Sequence, residues 1–96
     1  MTKSIQHQQR LQHAIYNANE AIHKLDQAQR AADKALETGN PKWKQHAAGK
    51  LQQSIHVAEE IKEQLLAEAN ESQEQQVLQN LQELEGAIAN AKSRPL

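Results

Sequence analysis

Leu11, Ile15, Ala18, Ile22, Leu25, Ala32 and Leu36 follow one another at intervals of 4, 3, 4, 3, 7 and 4 residues. Apolar side chains recurring about every 3.5 residues line one side of an α-helix, whereas a half-buried strand alternates at two. The spacing therefore predicts one amphipathic helix over residues 4–37, with a seam that must be buried against another helix. With Ile15 at heptad position a, Ala14, Ala21, Ala28 and Ala35 all fall at g. Four alanines in one column widen the seam. They also let a neighbouring helix approach closely, because interaxial distance follows the side chains at the contact. Gln8 and Gln29 occupy a positions. A buried glutamine there would help to fix register, but near a helix end the expectation is that it stays partly wet.

The stretch Thr38-Gly39-Asn40-Pro41 ends this helix and starts another. Glycine suits the left-handed residue just past a helix. Asparagine suits the next N-cap, and proline the first helical position, where its missing N–H is not needed. The expected result is a tight hairpin of two antiparallel helices. The second helix spans residues 41–69 through Ala47, Leu51, Ile55, Ala58, Ile61 and Leu65. A break is expected at Asn70-Glu71-Ser72, where Ser72 and Gln75 match a capping box. The third helix, over 73–92, carries Val77, Leu81, Leu84, Ile88 and Ala91, with Gly86 weakening it. Residues 93–96 are expected to fray.

Composition agrees. Alanine and glutamine contribute fifteen residues each, aromatics only 2%, and Gly (3) and Pro (2) are too few for a turn-rich β fold. The fold class expected is all-α: a single domain over 1–96, arranged as a three-helix antiparallel up-down-up bundle built on one long hairpin.

The chain has no cysteine, which removes disulfides and thiolate chemistry and fits a reducing, cytoplasmic setting. Residues 1–7 lack the apolar run of a signal peptide, and no stretch approaches the roughly 18 apolar residues of a membrane span. Neither a membrane partner nor a cofactor is expected. Nucleic acid is not expected as a partner at a pI near 6.5. Among the five histidines (7, 13, 23, 46, 56) no two are spaced three or four apart, the spacing that puts two ligands on one helix face. Glu20-Ala21-Ile22-His23 matches one half of a di-iron carboxylate motif, but heptad positions f and b face solvent. No metal site, nucleophilic triad or glycine-rich phosphate loop is read, so an enzyme is not expected.

Charge is distributed unevenly. Residues 1–50 hold eight Lys/Arg and four Asp/Glu, and residues 51–96 hold three and eight. At about 1.5 Å per residue the helices are roughly 50, 43 and 30 Å long. The third should stop short of the Gly39 turn and leave residues 29–50 as a two-helix tip. That tip is rich in alanine and basic, and it holds Trp43, the chain's single tryptophan. Trp43, Lys44, Leu36, Lys34, Lys42 and Arg30 are therefore the candidate partner-binding residues, for a protein partner or for self-association as a homodimer. The competing expectation is that Trp43 folds back to cap the hairpin, with lysine stems covering the rest.

Overall fold

The computed structural model describes residues 2–71 and 75–94. It contains three helices, α1 (Thr2–Thr38), α2 (Pro41–Glu71) and α3 (Gln75–Lys92), each packed on the other two. All described elements are helical, and the bundle extends 57 × 19 × 14 Å. Helix α2 runs through Asn70, past the expected start of the break, while Ser72 and its capping box lie outside the described residues.

The hairpin turn forms as its residues dictate. Gly39 has φ = 70°, and its N–H donates to the Ala35 carbonyl at 3.2 Å. The Thr38 hydroxyl donates to the same carbonyl at 3.0 Å. Asn40 then caps α2: its side-chain oxygen accepts the Lys42 N–H at 3.0 Å, and its carbonyl accepts the Lys44 N–H at 3.0 Å. An added Cβ at Gly39 or at Gly86 meets no atom within 4 Å, so the two glycines differ only in backbone conformation. Gly39→Ala should destabilise by about 1 kcal/mol because it forces an L-residue to positive φ. Gly86→Ala, inside α3, should stabilise by about 1 kcal/mol. Paired thermal melts read both signs.

Burial on α1 is centred differently from the heptad expectation. The d residues Leu11, Ala18, Leu25 and Ala32 and the g alanines Ala14, Ala21, Ala28 and Ala35 are buried. Ile15, Ile22 and Leu36, at position a, are only half-buried. The core axis thus runs between d and g. The g column is short enough for α2 to pack directly over it, so the larger a residues flank the core.

Cross-helix pairs define the directions. Arg10 and His13 lie near Gln64 and Glu68 at one end of the hairpin, and Ala31 and Ala35 near Trp43 and Ala47 at the other. Between α2 and α3, Lys62 pairs with Glu85 at 3.7 Å and Lys92 with Glu59 at 2.7 Å. Both sets run in the antiparallel sense. The hydrogen bond from Lys92, with its positive charge, holds the Glu59 carboxyl below its ordinary value. A depressed carboxylate pKa favours the fold above the group's ordinary pKa and loses that contribution as pH falls through the lowered one. Both side chains are half-exposed, so salt screens the pair.

The end of α3 corrects two expectations. Of the residues 93–96 expected to fray, Ser93 and Arg94 are tied down, and 95–96 lie outside the described residues: the Ser93 hydroxyl donates to the Asn90 carbonyl at 2.7 Å, and Arg94 Nη1 lies 2.8 Å from Asp33 Oδ1. Arg94 Nε and Nη2 both donate to Gln29 Oε1, at 3.2 and 3.1 Å. Gln29 is therefore 6% exposed rather than wet, because a guanidinium satisfies its carbonyl where water would otherwise have to reach. The same contact brings the third helix's end to the level of Gln29 and Asp33, and Ala91 and Arg94 share a cavity with Ala48 and Leu51. The two-helix layer is thus shorter than residues 29–50. Among the described residues, Asn80 Nδ2 on α3 is buried without a hydrogen-bond partner.

Candidate functional site

The hairpin end is set by the turn. With Gly39 and Asn40 at the bend, residues whose numbers sum to about 80 face each other across α1 and α2. Trp43 therefore comes opposite Ala35. Trp43, His46, Ala47 and Lys50 lie one and two turns apart on α2, and Ala31 and Ala35 one turn apart on α1. These six residues line a concavity of about 370 Å³.

Trp43 is 59% exposed. At that exposure it stands as a wall of the concavity, whose lining also includes the buried Ala35 and Ala47. The rim is basic: His46 and Lys50 belong to the lining, Lys34 and Lys42 are exposed nearby, and Lys44 is half-buried. Arg30 is exposed and turns aside to Asp26, at 3.1 Å. Leu36 is half-buried and is not part of the lining. Of the six candidate residues, only Trp43 lines the concavity.

The concavity lies on an unexpected face. Successive residues turn by about 100° around a helix. Gln29 and Asp33, which meet Arg94, therefore project to one side of α1, and Ala31 and Ala35 to roughly the opposite side. The exposed alanine-floored surface is thus the back of the hairpin, away from α3. It is open because a third helix can cover one side of the α1–α2 seam only, and not because α3 is short.

This back face continues downward. A second concavity of about 280 Å³ shares Ala31 and Lys50 with the first and adds Lys24, Gln27, Ala28, Gln53 and Ser54. The two form one groove along the seam. Neither lining contains a carboxylate. Asp26 faces Arg30, and Asp33 is held by Arg94 on the other side of α1. Lys24 and His46 were not singled out from the sequence, and Lys50 was read only as one charge of the basic tip, yet a signal existed. His46 and Lys50 stand three and seven residues after Trp43, and Lys24 seven before Ala31, each on a shared helix face.

Elsewhere the titratable groups form ion pairs on exposed or half-exposed faces. Glu20 and His23 are both exposed, and His56 Nε2 lies 3.0 Å from Glu60 Oε1 on an exposed face. Among the described residues no three His, Asp or Glu side chains gather at one point, and no helix is long and apolar enough to cross a membrane. Comparison of the chain with protein-family models, with curated proteins and with solved structures finds no match.

Proposed function

We propose that the chain acts in the cytoplasm by protein–protein contact, as an adaptor, inhibitor or regulatory binding module, with no enzymatic activity and no resident cofactor or metal. The observation that supports this reading is the placement of Trp43: an aromatic ring 59% exposed beside a concavity floored by Ala31, Ala35 and Ala47. Tryptophan is the side chain most enriched at binding hot spots, where it fills or walls a desolvated pocket. A ring left in water over an apolar floor gains by being covered.

The test is a pull-down from native lysate with wild type and with the Trp43→Ala, Lys44→Glu variant. A protein retained by wild type and lost from the variant is the expected result. Trp43 is exposed and Lys44 only half-buried, so the variant should fold with a helical spectrum like that of wild type. Retention of every partner by the folded variant would remove the hairpin end from consideration. Mass in solution across concentration accompanies it. A tight homodimer lost with the same variant would replace a separate partner with self-association.

A further inference from the structure

The groove along the α1–α2 seam has a length, a floor and a charge that together describe an occupant. We propose that it takes an acidic amphipathic helix from a protein partner, laid along the seam as a fourth helix. The proposal rests on the protein-contact reading above and specifies its partner.

Length comes first. The joined concavities run on α2 from Trp43 to Ser54, about 16 Å at 1.5 Å per residue, which matches roughly three helical turns. A strand or loop laid there would leave its backbone N–H and C=O groups facing alanine. A helix satisfies them internally and offers an apolar stripe at i, i+3, i+4 and i+7. The floor fits that geometry. Ala28, Ala31, Ala35 and Ala47 have no bulk beyond Cβ, so a fourth helix can approach to the lower end of ordinary interaxial distances, and Trp43 closes one end as a wall.

Charge selects among helices. Lys24 and Lys50 flank the floor on α1 and α2, His46 stands beside Trp43, and Lys34 and Lys42 add to the same end. No carboxylate lines this stretch. A second copy seated back to back would bring two basic rims, each with Lys24 and Lys50 and no lining carboxylate, into one interface, a like-charge arrangement that disfavours pairing. A nucleic acid strand would find one aromatic ring and an alanine floor in place of a stacking platform. An apolar stripe flanked by Asp and Glu fits both floor and rim.

Because the chain has one tryptophan, placed in this groove, its emission reports occupancy directly. The experiment selects a randomised displayed-peptide library on the intact protein and titrates the enriched peptides against Trp43 fluorescence. The enriched sequences should be helix formers with apolar residues at i, i+3, i+4 and i+7 and flanking Asp or Glu. They should shift Trp43 emission to the blue. Ala31→Glu, at an exposed floor position, and the pair Lys24→Glu, Lys50→Glu should each weaken binding by about tenfold or more at low salt. Tyr16→Ala, 61% exposed and outside the groove, should leave it unchanged.

Enrichment of basic or uncharged sequences, or no enrichment, overturns the proposal. So does binding indifferent to Ala31→Glu. A blue shift produced by the protein's own concentration would assign the groove to a second copy, and displacement of the peptide by an oligonucleotide or by anionic vesicles would assign it to those ligands. If a lysate partner depends on Trp43 while the selected peptides are not acidic helices, the contact reading stands and this inference falls. If nothing depends on Trp43, both fall.

Discussion

Replacing Leu65 with alanine should cost about 2–5 kcal/mol, a large part of the roughly 5–15 kcal/mol that stabilises a domain of this size. Leu65, Leu25 and Leu84 are fully buried, one on each helix, and with Val77 they are the largest side chains wholly out of water among the described residues. Much of the rest of the core is alanine: Ala18, Ala32 and Ala58 are equally buried but contribute little area. The few leucines therefore hold a disproportionate share of the apolar burial. Leu25→Ala and Leu84→Ala belong in the same range, because each removes an equally buried side chain. Leu78→Ala, on α3 but 50% exposed, should stay within about 0.5 kcal/mol of wild type. Urea titration followed by helix circular dichroism measures all four. A loss below 1 kcal/mol for Leu65→Ala would mean that the alanine seam, and not the leucines, dominates the core.

Arg94→Ala should cost about 1–3 kcal/mol, although the residue stands two positions beyond the end of α3. Its guanidinium gives two donors to Gln29 Oε1 and one to Asp33. The Asp33 pair is partly solvated, with the two side chains 46% and 30% exposed, so by itself it contributes well under about 1 kcal/mol. The larger effect is on Gln29, whose buried amide oxygen would be left without a donor. Two consequences separate these contributions. Arg94→Lys should fail to restore stability, because one ammonium cannot present the three-pronged fork that meets both residues. Gln29→Leu should rescue Arg94→Ala, since removing both partners of a buried hydrogen bond is nearly neutral when the shape is kept. Addition of salt should change Arg94→Ala little if the neutral glutamine dominates, and chemical denaturation at low and high ionic strength distinguishes the two.

These residues also show where sequence reasoning reached and where it stopped. The turn at Gly39-Asn40-Pro41 was legible because each of its interactions spans four residues or fewer: a positive φ, a cap on the second N–H, a carbonyl satisfied from the preceding turn. Trp43 was legible as the feature of the hairpin end because it is chemically unlike everything around it. Leu36 and Arg30 were placed in the same site by proximity along the chain alone. They point elsewhere, Leu36 away from the concavity and Arg30 to Asp26.

The sequence by itself determined that this is a protein of helices, three in number among the described residues, and where the first hands over to the second. Those properties follow from apolar periodicity and local hydrogen bonding, which act within a turn or two of helix. Only the tertiary structure decided where on the seam of α1 the core is centred. The heptad put a and d at the centre, whereas close packing of α2 over the g alanines moved it between d and g. It likewise decided that Arg94 crosses to Gln29, a residue 65 positions earlier, and that the basic groove opens on the back of the hairpin. Periodicity states that a helix has an apolar side. How that side is shared between two neighbours depends on interdigitating side chains from distant parts of the chain.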